Sequence, residues 1–373
     1  MSSAKFYRPE LDALRFLAFS LVFVYHTAAS IKAQMFASGA IQSAIARTVT
    51  AGGYGVDIFF LLSAYLITEL LMREKARVGT VDAVAFYVRR ALRIWPLYYF
   101  FLIFTLVGSH FTPMQFPSGA ILPMFLFYGN FWFMTHPFFS PASLLWSVSI
   151  EEQFYVVWPF AVRRFSRQGL IILSCILLLV SSAARFALIK SGLFDGNAVW
   201  VCTFTRLDPI ATGMLACLLL RGRFPAVGLL PRLALLLAGG LSLYGAANWL
   251  HGTDRNLSLA EGMSAYPLAD LGALAIFLSF LGARITWRPL IYLGQISYGL
   301  YVYHILALDV AKVALLHVTG TCPFWLRAGI GFPLTVALAA LSYKVLEAPF
   351  LTLKGKSVML LPPGWALAGF RRK

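Results

Sequence analysis

Arg15 and His26 are the first residues of this chain whose types and spacing suggest chemistry. They sit in RPELDALRFLAFSLVFVYH, an arginine at the mouth of an apolar run and a histidine inside it. Eleven helical steps of about 100° come within about 20° of whole turns, so on a helix the two share a face, about 16 Å apart. A ligand spanning them would place an anionic end at Arg15 and a reacting end at His26. A snorkelling arginine and a packing histidine are the plainer alternative.

Other stretches carry similar groups. WSVSIEEQFY (146–155) holds Glu151 and Glu152. Neighbours on a helix point about 100° apart, so only one can face a site squarely. Such a carboxylate can orient a histidine, hold a substrate hydroxyl or form a structural ion pair. RRALRIWPLYY (89–99) sets Arg90 and Arg93 three residues apart, on one helix face. At a helix N-terminus they would form an anion site, although ordinary basic flanking of a span accounts for them too.

GVDIFFLLSAYLIT (55–68) contributes Asp57 and Ser63, and RLDPIATG (206–213) contributes Arg206 and Asp208. Two residues apart, Arg206 and Asp208 face different ways and need partners on other helices. All four read as structural or site-lining. LGQISYGLYVYH (293–304) places His304 in the outer half of a span, as a packing or acceptor-lining group. YKVLEAP (343–349) leaves Glu347 at a cytoplasmic helix end before Pro349, to pair with a basic cluster or to stand as a solvated end residue.

What must position these residues is a membrane bundle. The chain has 373 residues, 60% hydrophobic and 12% charged, where a soluble domain carries about 25% charged residues. Spans are expected at 13–33, 53–72, 94–110, 144–162, 169–189, 199–220, 233–250, 264–282, 290–309 and 325–346. That makes an all-α integral membrane protein of about ten helices, one domain over 1–353 with a basic tail at 354–373. The segment 119–134 is short and flanked by prolines, and reads as re-entrant or interfacial.

If 119–134 does not cross, every cluster of Lys and Arg falls on one side, which makes both termini cytoplasmic and the protein a multi-pass protein of the cell's inner membrane. The 31 basic residues against 15 acidic ones are therefore membrane flanks, not a nucleic-acid stripe. Four scattered cysteines give neither a disulfide framework nor a metal site. Glu10 and Asp12 dilute the n-region, so the first run reads as a span and not as a cleaved signal.

Ionisable groups within spans cost about 2.5–3.5 kcal/mol each on insertion scales and are functional candidates. Seven stand out: His26, Asp57, Glu151, Glu152, Arg206, Asp208 and His304. Taken alone, they fit an enzyme and a proton-coupled transporter or flippase of a sugar-containing or anionic substrate equally well.

The ordered set RPELDALRFLA with R-x10-H, GVDIFFLLSAYLI, RRALRIWPLYY, WSVSIEEQFY, RLDPIATG, LGQISYGLYVYH and YKVLEAPF resembles the acyltransferase family 3 membrane O-acyltransferases over nearly the whole chain. Each motif is weak by itself; seven in order are specific. One mild departure is Ala64-Tyr65, where the family often has Gly-Phe. Only the tail follows YKVLEAPF, so the expectation is a stand-alone membrane domain without an SGNH-type hydrolase domain.

The resemblance implies transfer of an acyl group, usually acetyl, from cytosolic acetyl-CoA or another acyl-CoA. The acceptor would be a hydroxyl of an extracytoplasmic glycan or lipid-linked sugar, with no metal, no nucleic acid and membrane lipids as surroundings. It implies Arg90, Arg93 and Arg15 on the coenzyme's phosphates, and His26 as general base or acyl carrier. Glu151, ahead of Glu152, would orient the imidazole.

Overall fold

The computed structural model describes residues 7–29, 39–111, 116–137, 140–223 and 227–353, and no strand occurs among them. The expected tail, 354–373, and the end of the first expected span, 30–33, lie outside the described residues. Helix α1 (Pro9–Ala29) is followed by α2 (Ala40–Thr50), a 3-10 turn (Ala51–Tyr54), α3 (Gly55–Val78) and α4 (Ala83–Ser109). Two short helices, α5 (Ser118–Phe125) and α6 (Gly129–Phe133), lead to α7 (Trp146–Arg164) and α8 (Arg167–Ser191). Then come α9 (Gly196–Val201), a 3-10 turn (Phe204–Arg206), α10 (Leu207–Leu220), α11 (Leu229–Asn248) and α12 (Leu259–Phe280). The described chain closes with α13 (Arg288–Gln295), α14 (Ser297–Thr319), α15 (Phe324–Ser342), a π turn (Tyr343–Glu347) and α16 (Ala348–Leu353).

Eight helices among the described residues are long and apolar enough to cross a membrane. The expected span 144–162 forms α7, but Glu151, Glu152, Arg163 and Arg164 dilute its apolar character. The expected span 199–220 is not one helix. It breaks at Cys202, which is extended, and restarts through the 3-10 turn. Thr205 stabilises the break by donating its hydroxyl to the carbonyls of Val199 and Cys202. Helix α10 then has 14 residues, about 21 Å. Pro209 is tolerated in its first turn, where its missing N–H is not needed. The 119–134 segment forms α5 and α6, each too short to cross, with the chain reversing at Phe127, whose φ is 55°.

Two of the boundary differences from the sequence reading bear on the site. Helix α4 starts at Ala83, eleven residues before the expected span, because Asp82 caps it by accepting from the Ala85 amide. Helix α14 begins at Ser297 and runs to Thr319, so His304 is its eighth residue and not near its outer end.

α1 and α3 form the centre. Leu14, Ala18, Phe19 and Val22 of α1, and Ile58, Leu61 and Leu62 of α3, are buried. In a membrane such packing rests on small residues that let backbones approach. A Cβ on Gly55 would run into the Ala18 carbonyl, and one on Gly294 into the Asp12 carbonyl. The second contact seats α13 on the start of α1. Ile172, Ile176 and Leu179 on α8, and Leu230, Leu233, Leu237 and Leu241 on α11, remain exposed at helical spacing, as a lipid-facing surface requires.

Candidate active site

A cavity of about 510 Å³ opens at the arginine-rich end of the bundle, a volume typical of small-molecule sites. Arg8, Arg15, Arg90 and Arg93 line it, with Glu151, Ser63 and Glu347. Arg15 is steadied by Asp12, one turn earlier, at 2.6 Å. Arg90 reaches across the rings of Phe86 and Tyr155, and its Nε is buried without a hydrogen-bond partner. Arg90 and Arg93 are the eighth and eleventh residues of α4. The expected help from a helix N-terminus is therefore absent, since that effect fades within the first turn.

The two glutamates separate as neighbouring helical residues must. Glu151 faces the cavity, its carboxyl among Ser63, Tyr155, Arg90 and Arg15. Ser63 Oγ and the Tyr155 hydroxyl share a 2.5 Å hydrogen bond beside it. Glu152 turns to α4, where its Oε2 accepts from Trp95 Nε1 at 3.1 Å. It does not line the cavity. Glu347 is buried in the π turn, which packs against Arg93's helix on the cavity wall, and its Oε1 has no hydrogen-bond partner.

On α1 the cavity lining stops at Arg15, and on α14 it stops at Tyr301. Tyr301 shares a 2.7 Å hydrogen bond with Ser147, and its ring meets Phe59 edge-on at 5.8 Å. One turn further along α14 is His304, fully buried. Its Nε2 lies 3.1 Å from Nδ1 of His26, which is half-buried. The Val22 carbonyl is 3.0 Å from that same His26 Nδ1. The expected orientation of His26 by Glu151 or Glu152 is thus not what the fold builds. The group beside His26 is His304, brought from α14.

Asp57, Arg206 and Asp208, expected to line a site, do not touch the cavity. They form two buried ion pairs: Arg206 Nη2 to Asp57 at 2.7 Å, and Arg185 Nη1 to Asp208 at 2.5 Å. Both guanidiniums also face aromatic rings, Arg206 over Trp200 at 4.6 Å and Arg185 over Tyr266 at 4.9 Å. A buried charge needs a partner, and these pairs supply it.

The sequence reading passed over Arg185, Asp270 and Arg327, all buried in helices. The same test, a charge inside an apolar run, finds all three. Arg327 donates to the Thr27 carbonyl, directly after His26, at 2.9 Å. Tyr155 was also missed, and nothing distinguishes it in sequence from the other 15 tyrosines; Tyr301 is recognisable only by its helical spacing from His304.

Fold and site define an all-helical integral membrane protein with a ligand-sized cavity, apolar for the most part and studded with arginines, at its basic end. The chain belongs to the acyltransferase family 3, whose acyltransferase domain matches residues 8–344. It is 27% identical over 382 residues to the O-acetyltransferase OatA of Staphylococcus aureus (strain NCTC 8325 / PS 47), covering 95% of this chain and 59% of that protein. It is 29% identical to the putative peptidoglycan O-acetyltransferase YrhL of Bacillus subtilis (strain 168), covering 93% and 55%. With the peptidoglycan O-acetyltransferase OatA of Listeria monocytogenes serovar 1/2a the identity is 28%, covering 92% and 56%. The chain therefore spans somewhat more than half the length of these relatives. No solved structure matches it.

Proposed function

We propose that this protein is a membrane O-acetyltransferase that moves an acetyl group from cytosolic acetyl-CoA to a hydroxyl of an extracytoplasmic glycan or lipid-linked sugar. Peptidoglycan, which the names of two relatives give, is one candidate for that glycan. The observation that carries the reading is the arginine-lined cavity, which runs from the basic end of the bundle to within one turn of a histidine pair. By the positive-inside rule the basic end faces the cytosol of a cell's inner membrane, where acyl-CoA is found.

In this reading Arg90, Arg93 and Arg15 hold the coenzyme's phosphates, and the pantetheine arm extends along α1. The Phe59 and Tyr301 rings give way as the thioester passes them. The acceptor hydroxyl gives its proton to His26 and its oxygen attacks the thioester carbonyl. The tetrahedral intermediate collapses by breaking the C–S bond. The leaving thiolate takes the proton from His26, so CoA departs as the thiol and the base is regenerated.

The test is transfer of label from acetyl-CoA to membrane glycans by inverted vesicles. His26→Ala should abolish it at unchanged expression. Replacing Arg90 and Arg93 by Gln should raise the acetyl-CoA KM by at least about tenfold, as loss of charge-assisted hydrogen bonds worth about 1.5–3 kcal/mol each requires. Full transfer by His26→Ala would refute the catalytic assignment, and an unchanged KM the phosphate one. Import of labelled glycan or anion without acetyl transfer would make the protein a transporter.

A further inference from the structure

We propose that His304 is a positioning residue: it fixes His26 as the Nδ1–H tautomer and so presents a bare Nε2 to the acceptor hydroxyl. The inference rests on the reading of His26 as general base, and it assigns that base its partner and its reacting nitrogen.

The hydrogen-bond chain runs in one direction. The Tyr301 carbonyl can only accept, so His304 Nδ1, 2.5 Å from it, carries a hydrogen. The neutral His304 ring then has its lone pair on Nε2, which points at His26 Nδ1 from 3.1 Å. That His26 nitrogen faces a second acceptor, the Val22 carbonyl, at 3.0 Å. Between two acceptors it must carry the hydrogen, and its Nε2 is left as the basic atom. The opposite arrangement, a hydrogen on His304 Nε2, would aim the bare His26 Nδ1 at the Val22 oxygen, lone pair against lone pair.

The pair is built to stay in this order. His304 is fully buried, and its ring is held by Phe19 edge-on at 6.0 Å and by Tyr301 at 5.6 Å. Val22 lies on His26's own helix, and His304 reaches it from a helix 278 residues away. When His26 takes the acceptor's proton on Nε2, the charge spreads to Nδ1–H, and His304 Nε2 receives it through a hydrogen bond already made. Pre-arranged acceptors of this kind need no reorganisation as the charge develops.

The experiment measures CoA thiol release from acetyl-CoA by inverted vesicles of the source cell deleted for this chain and re-expressing it, with the native acceptor in the same membrane. His304→Gln keeps a carbonyl oxygen that can accept from His26 Nδ1–H; His304→Leu has none. Expected is a fall in kcat of about 10- to 100-fold in His304→Leu, the size seen when the group that orients a metal-bound histidine is lost. The acetyl-CoA KM and the melting temperature of the detergent-purified protein stay at wild-type values, and His304→Gln recovers most of the rate.

Wild-type kcat in His304→Leu overturns the proposal. So does equal loss in both variants, or loss that follows a fall in melting temperature in both, because these mark a packing role. If His26→Ala is inactive and His304→Leu is not, only the present inference fails. If His26→Ala releases CoA at the wild-type rate, the reading of His26 fails and this one with it.

Discussion

Glu151 and Glu152 show how one residue of offset divides two like groups. Spacing alone says that only one can face a site; it does not say which. The fold turns Glu151 into the arginine-lined cavity and gives Glu152 to Trp95 on α4. Glu151→Gln should therefore change turnover or the acetyl-CoA KM by about tenfold with little change in melting temperature. Glu152→Leu should cost about 1 kcal/mol of stability, the net worth of one hydrogen bond, and leave kcat/KM within about threefold. Steady-state CoA release and thermal unfolding of both variants separate the roles; a kinetic defect confined to Glu152→Leu would reverse them. The candidate residues of this cavity were legible because charge is conspicuous in an apolar run. The pairing of the two histidines beyond the cavity was not: His304 follows His26 by 278 positions, and nothing in either local stretch announces the other.

At the scale of elements, the broken segment from α9 to α10 depends on charges that do no evident chemistry. Arg206 ends the 3-10 turn, and its guanidinium is held by Asp57 in the first turn of α3, 149 residues earlier. Arg185 of α8 takes Asp208 in the first turn of α10. The two pairs pin a short helix that cannot span the bilayer by itself. The sequence shows that Arg206 and Asp208 face apart and need separate partners. It also suggests a continuous span at 199–220, since hydropathy averages over a break that Thr205 makes by bonding backward to two carbonyls. Removing one member of a buried pair leaves the other charge uncompensated, at a cost of about 3–5 kcal/mol. Asp57→Asn should thus lower the melting temperature sharply. Asp57→Leu combined with Arg206→Met should recover most of the loss, because neither charge remains. A double variant as unstable as Asp57→Asn would contradict the pairing.

At the scale of the whole molecule, the reading depends on which way the bundle faces. Helical content and the membrane class are plain from composition, because runs of apolar residues of spanning length leave few other folds. Orientation rests on the clustering of Lys and Arg, and it decides whether the function is possible. With the basic end in the cytosol, the cavity opens to acyl-CoA and His26 lies toward the side where glycans are assembled. Inverted, the arginines would face a compartment without acyl-CoA. A native probe exists in Cys322, in the connection between α14 and α15, opposite the basic end and partly exposed. Cys202 and Cys217 are buried, and Cys175 lies on the lipid-facing α8, where a thiolate is disfavoured. A membrane-impermeant maleimide applied to intact spheroplasts should therefore label the protein, and Cys322→Ser should remove the label. Cys175→Ser should not. Labelling of Cys322 only after lysis would place the arginine-lined cavity outside the cell and exclude cytosolic acyl-CoA as its ligand, whatever the chemistry of the histidine pair.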